Sequence, residues 1–151
     1  MEKTRDHRAL IKRGLALHEA RRYAAALPYF DRALRHAPDC PVAAFNRANT
    51  LHMLGRDKMA YPILRELIDL APEELRRRCP DSNPRSLQLD TCMLLFFVVS
   101  DLRGACAEAL AYGVQHLRRR RRGVQSVWSV RQVRAEIAVV RRKCKTREMI
   151  N

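Results

Sequence analysis

Small and apolar positions in the first half of the chain return at one constant lag. Ala9 pairs with Ala43, Leu17 with Leu51, Ala26 with Ala60, Ala37 with Ala71, Pro28 with Pro62 and Pro38 with Pro72. Polar positions keep the same lag, Arg13 with Arg47, His18 with His52 and Arg22 with Arg56. Similar residues fill further places: Gly14 and Ala48, Phe30 and Leu64, Ala33 and Leu67, Leu34 and Ile68. A period of 34 residues predicts a helix-turn-helix unit stacked on its own copy, because one helix pair hides its apolar face only against a neighbour. Pro38 and Pro72 fall just after the second helix of each unit, where proline ends one helix and opens the next.

The second half is less regular. An apolar helix is predicted from Leu87 to Ser100, then a break at 101–104 and a second helix to about Arg119. Met93 to Val99 is apolar on every face, which predicts burial on all sides. Ala107, Ala111 and Val114 are assigned the places of Ala60, Leu64 and Leu67, a longer lag that leaves an insertion between the units. Residues 78–84 read as loop by their Pro, Asp, Ser and Asn content. Val127, Val130, Val133, Ile137, Val140 and Cys144 recur at three- and four-residue steps and predict a C-terminal amphipathic helix. Ser126 or Ser129 is placed to cap its start, and Arg141, Arg142 and Lys143 suit its end by the helix dipole.

The repeated positions carry a known signature. The first unit reads Leu10, Arg13-Gly14, Leu17, Ala26-x3-Phe30, Ala33 and Pro38. The second reads Ala44, Arg47-Ala48, Leu51, Ala60-x3-Leu64, Leu67 and Pro72. Over residues 7–74 the chain resembles tetratricopeptide-repeat (TPR) proteins, departing where the first helix has Leu10/Ala44 and Arg13/Arg47 for the pattern's Trp and Leu. The resemblance implies an all-α helix-turn-helix solenoid. Its parts would be two clear TPR units at 7–74, a loop insertion at 75–87, a degenerate third unit at 88–122, and a basic amphipathic capping helix at 123–151. At 151 residues these form one domain.

Charge divides the chain. Residues 1–74 carry 13 basic and 10 acidic side chains, whereas 75–151 carry 17 and 6. Nearly all of the excess lies between Arg118 and Arg147, with Glu136 the one acid there. Arg outnumbers Lys 25 to 5 throughout, a bias that does not account for the clustering. Such a block attracts nucleic acid, an anionic membrane surface or an acidic protein. The five arginines Arg118, Arg119, Arg120, Arg121 and Arg122 would be spread around a helix, as a solvated end or a phosphate contact. With Arg141, Arg142 and Lys143 they form a candidate anion site. Trp128 is the nearby aromatic, too little for base stacking.

Other classes find little support. Five cysteines without a CxxC pair or zinc spacing predict reduced thiols in a cytoplasmic setting. The charged N-terminus does not read as a signal peptide, and no apolar run has the roughly 20 residues of a membrane span. No Ser/His/Asp set, HExxH or glycine-rich phosphate loop is present, so the expectation is no enzyme, cofactor or metal.

The TPR resemblance implies a partner groove lined by the first helix of each unit. Ile11, Leu15, His18, Phe45, Asn49 and His52 are its candidate residues. The family's carboxylate-gripping site is matched only at Asn46, with Ile11, Leu15, Leu89 and Met93 at its other places, so tail clamping is not expected. An apolar groove of this kind needs covering. Either it takes a helix or extended segment of another protein, as an adaptor or a chaperone-like module does, or the C-terminal helix fills it or caps the array. The expected function is protein binding without catalysis. The alternative is an anion-binding protein acting through its Arg-rich C-terminal third.

Overall fold

The computed structural model describes residues 2–102, 106–120 and 128–148. Among them are eight helices and no strand, so the fold is all-α. The chain forms two compact units, residues 1–84 and 85–151.

The first unit holds α1 (Glu2–Glu19), α2 (Tyr23–His36), α3 (Pro41–Met53), α4 (Asp57–Asp69) and α5 (Pro72–Arg78). α1 packs on α2, α2 on α3 and α3 on α4, the succession of stacked helix pairs. A small residue sets the first crossing: a Cβ on Gly14 would stand 2.7 Å from the Phe30 ring. Ala26, Phe30 and Ala33 are sealed from solvent, as are Ala48, Ala60 and Leu64 at the corresponding crossing. Arg47, which departs from the family pattern, donates to Asp31 Oδ1 at 2.6 Å and fastens α3 to α2.

Both turns within the pairs share one hydrogen-bond pattern. Arg22 N donates to Leu17 O at 2.8 Å and Arg21 N to His18 O at 2.9 Å. At the matching places of the second repeat, Arg56 N donates to Leu51 O and Gly55 N to His52 O, both at 2.8 Å. This closure requires a left-handed residue, which is Gly55 (φ 69°) in one turn and Arg21 (φ 57°) in the other.

α5 runs into the segment expected as loop. Pro72 opens it, Glu73 and Glu74 fill its first turn, and Arg76, Arg77 and Arg78 fill its last, the charge order the dipole favours. Arg77 and Arg78 both donate to the Glu74 carboxylate, and these hydrogen bonds pull its pKa down to about 2.

The second unit holds α6 (Pro84–Asp101), α7 (Cys106–Arg119) and α8 (Val130–Glu148). Leu89, Cys92, Met93, Leu95, Phe96, Val98 and Val99 of α6 are buried, as its uniform apolarity predicts. The register assigned to α7 needs correction. Ala107 and Ala111 are exposed and Val114 is half-buried, while Ala109 and His116 are sealed and Gly113 is buried. Ala109, Gly113 and His116 repeat the 4,3 spacing of Ala26, Phe30 and Ala33, so the buried face of α7 starts at Ala109 rather than Ala107. A Cβ on Gly113 would meet Phe96 at 3.1 Å and Ile137 at 2.8 Å, so α7 is narrowed towards both α6 and α8.

α8 starts with a reciprocal cap. Gln132 N donates to Ser129 Oγ at 3.2 Å, and Ser129 N donates to Gln132 Oε1 at 2.8 Å. Val133, Ile137, Val140 and Cys144 form its buried stripe; Val130 stays exposed, and Val127 and Ser126 lie outside the described residues. Cys144 is disulfide-bonded, where the spacing predicts reduced thiols throughout. Sequence spacing reads metal and CxxC pairs but not pairs made by helix packing.

Conformational strain at the first turn gives a reciprocal test. Gly55 has open space around it, so Gly55→Ala costs only the left-handed conformation, about 1 kcal/mol. Arg21→Gly removes that cost, raises the unfolded chain's entropy, and stabilises by roughly 0.5 kcal/mol. Urea unfolding of the two variants checks the opposite signs.

Candidate functional site

One face of α1 presents Arg8, Ile11, Lys12 and Leu15, positions that helical spacing stacks together. With His7, Val42 at the start of α3 and residues 78–82, they line a cleft of about 500 Å³. Its floor is Ile11, Leu15 and Val42. Its roof is the segment after α5, which lies against α1. Ser82 N and Ser82 Oγ both donate to Cys79 O, at 3.1 and 2.9 Å, and hold this segment as a tight turn. Arg8 reaches Asp81 Oδ2 at 2.6 Å from the helix below, a solvent-exposed pair worth less than about 1 kcal/mol. Cys79 packs on the apolar cluster of Leu10, Ala33, Cys40 and Ala43, and supplies the firmer anchor. The segment is a strap across the cleft, a feature that local composition reads only as loop.

Among the residues expected in the groove, Ile11 and Leu15 line this cleft. Phe45 and Asn49 lie on α3, half-buried. His18 and Asn49 meet each other. Thr50 Oγ1 donates to Asn46 O at 2.8 Å, so it accepts from His18 Nδ1, 3.1 Å away. That leaves His18 Nε2 as acceptor for Asn49 Nδ2 at 3.4 Å. The neutral imidazole satisfies every partner in this chain of bonds. A second proton would set two donors against each other at Nε2.

The histidines also fasten the turns. His18 stacks edge-on against Tyr23, ring centres 4.9 Å apart, and His52 Nδ1 lies 2.7 Å from Asp57 Oδ1. Tyr23 and Asp57 themselves stand one repeat apart, so each repeat closes its corner with a histidine and the residue five positions on. Asn46, the single match to the carboxylate-gripping site, donates to Val42 O at 2.8 Å within its own helix.

The basic residues fall into separate settings. Arg118 and Arg119 end α7 and are exposed, and Arg120 lies beyond the helix and donates to Trp128 O at 2.8 Å. The run is therefore not helical throughout; Arg121 and Arg122 lie outside the described residues. Arg141, Arg142 and Lys143 are exposed on α8, together with Arg131, Arg134 and Lys145. Trp128 packs against Phe97 at 5.1 Å, which occupies one face of the aromatic nearest this patch.

Residues 17–78 match the family model for the tetratricopeptide repeat, from the end of α1 to the end of α5. This part of the chain is a tetratricopeptide-repeat segment, a type of scaffold that generally mediates protein–protein interaction without catalysis. No curated protein matches the chain. Among the described residues no helix is long and apolar enough to cross a membrane, and no group of three or more His, Cys, Asp or Glu side chains is placed to hold a metal.

Two histidines are held neutral. Burial lowers the pKa of His18 from 6.5, outweighing the opposing pull of Glu19. Burial likewise lowers that of His116, outweighing the opposing hydrogen bond from its Nδ1 to Leu89 O at 2.9 Å, with Arg120 adding to the lowering. The unfolded chain thus binds protons more readily than the folded one. Stability from these groups is complete above pH 6.5 and drains as pH falls below it. Ring titrations by NMR are expected to give midpoints below 6.5 for both. The urea midpoint is expected to fall between about pH 7.5 and about pH 5.5, less steeply in His18→Asn.

Proposed function

We propose that the first unit is a protein-interaction module. Its cleft takes one or two apolar side chains from a helix or extended segment of a partner. The observation that carries this is the half-buried floor of Ile11, Leu15 and Val42 on the first helices of the two repeats, open to about 500 Å³ under the strap. Side chains of this kind are left with apolar area that a partner's anchor residue would cover. Phe45 and Asn49 extend the surface along α3. His18 and His52 act through it by setting the helix corners. The role we propose is that of an adaptor or chaperone-like module without catalysis.

The exposed cations of α8 favour a second reading, contact with nucleic acid or an anionic surface. Two facts weigh against it: Arg120 is committed to Trp128 O, and Trp128 is packed on Phe97.

The two readings separate by mutation. Leu15→Ser with Phe45→Ser, both at half-buried positions, is expected to weaken partner capture from nuclease-treated native lysate at least tenfold. Arg141, Arg142 and Lys143 changed to Gln are expected to leave capture unchanged at high salt. Capture lost with the Gln variant, or with salt alone, would replace the cleft by the basic surface.

A further inference from the structure

Cys79 lies where the strap joins α5, and its amide donates to Leu75 O at 2.9 Å. Cys40 lies directly before α3, its amide bound to Ala37 O at 3.1 Å. The two come from opposite ends of the second repeat and meet beside the cleft. Both are free, and Cys79 packs against the buried cluster to which Cys40 belongs. Val42, in the first turn of α3, and Cys79 itself both line the cleft.

We propose that Cys40 and Cys79 are a reversible dithiol–disulfide site, oxidised by exchange with a small-molecule disulfide of the glutathione type, whose bond clamps the strap over the cleft. Cys79 is half-buried and reacts first; Cys40 is 4% exposed and resolves. The Cys79 thiolate attacks one sulfur of R–S–S–R, forms Cys79–S–S–R and expels RS⁻. The Cys40 thiolate then attacks the Cys79 sulfur and expels the second RS⁻. Two protein thiols are oxidised, one small disulfide is reduced to two thiols, and the protons lost by the cysteines pass to the expelled thiolates. Burial pushes the Cys40 thiol up, so it ionises less readily than an exposed thiol and reacts only with a disulfide held beside it. Cys92 is a control within the same molecule: it is free and buried, faces Gln115 Oε1 at 3.9 Å, and its thiol is pushed up to about 11.

The effect on ligand entry rests on the proposed reading of the cleft, but bond formation does not, so the test uses no ligand. The full chain is equilibrated across ratios of reduced to oxidised glutathione, quenched by alkylation, and mapped by peptide mass spectrometry. The expected product is a peptide pair linked through Cys40 and Cys79, two hydrogens lighter, with Cys92 still reduced. Cys40→Ala is expected to stop at a glutathione adduct on Cys79, and Cys79→Ala to leave Cys40 unmodified; circular dichroism checks that both fold. Amide exchange across 79–83 is expected to slow by about tenfold in the oxidised chain. Glutathione held on Cys79 in the unsubstituted chain, or no linked pair at any ratio, overturns the site. A linked pair with unchanged exchange overturns the clamp.

Discussion

The first unit depends on how closely α1 approaches α2. Gly14 gives the Phe30 ring room that even one methyl would take, with the nearest ring atom 2.7 Å from where a Cβ would stand. That approach brings Ala26 and Ala33 into the seam, and Leu10 into the cluster with Ala33, Cys40 and Ala43. With Gly14 directed at α2, Ile11 and Leu15 are rotated onto a separate face of α1, and that face becomes the floor of the cleft. Helix packing here and binding surface there are two consequences of one helical phase.

The second unit solves the same problem with the partners exchanged. In the first unit the leading helix is small and the following helix large, Gly14 against Phe30. Between α6 and α7 the leading helix is large and the following helix small, Phe96 against Gly113. Gly113 also admits Ile137 of α8, which lets one narrow point hold three helices together. His116, one turn later, is then enclosed with its Nδ1 proton on Leu89 O and its Nε2 without a partner, an arrangement that only the neutral ring tolerates.

What the sequence reveals is what repeats or what has a local period. The constant lag makes α1 to α4, the small-residue crossings and the common corner geometry legible, because each is written twice. The stripe of α8 and its Ser129 cap are legible for the same local reason. The strap is not, since Arg8–Asp81 and the packing of Cys79 on the cluster of Leu10, Ala33, Cys40 and Ala43 join distant stretches of chain that share no periodicity. The register of α7 is lost where the insertion breaks the lag and a glycine stands at the position where the pattern has Phe30 or Leu64. Half of the groove set is readable as apolar. The bonds of His18 to Thr50 and of His52 to Asp57 are not legible, because these partners are ordinary residues at spacings that match no motif.

Amide hydrogen exchange of the full chain, alone and with a captured partner, tests the central claim most directly. Slower exchange in residues 7–15 of α1 and 78–82 of the strap, with α8 unchanged, is the predicted result. Protection confined to 130–145, with α1 and the strap exchanging as in the free protein, would contradict it and move the functional surface to the basic helix.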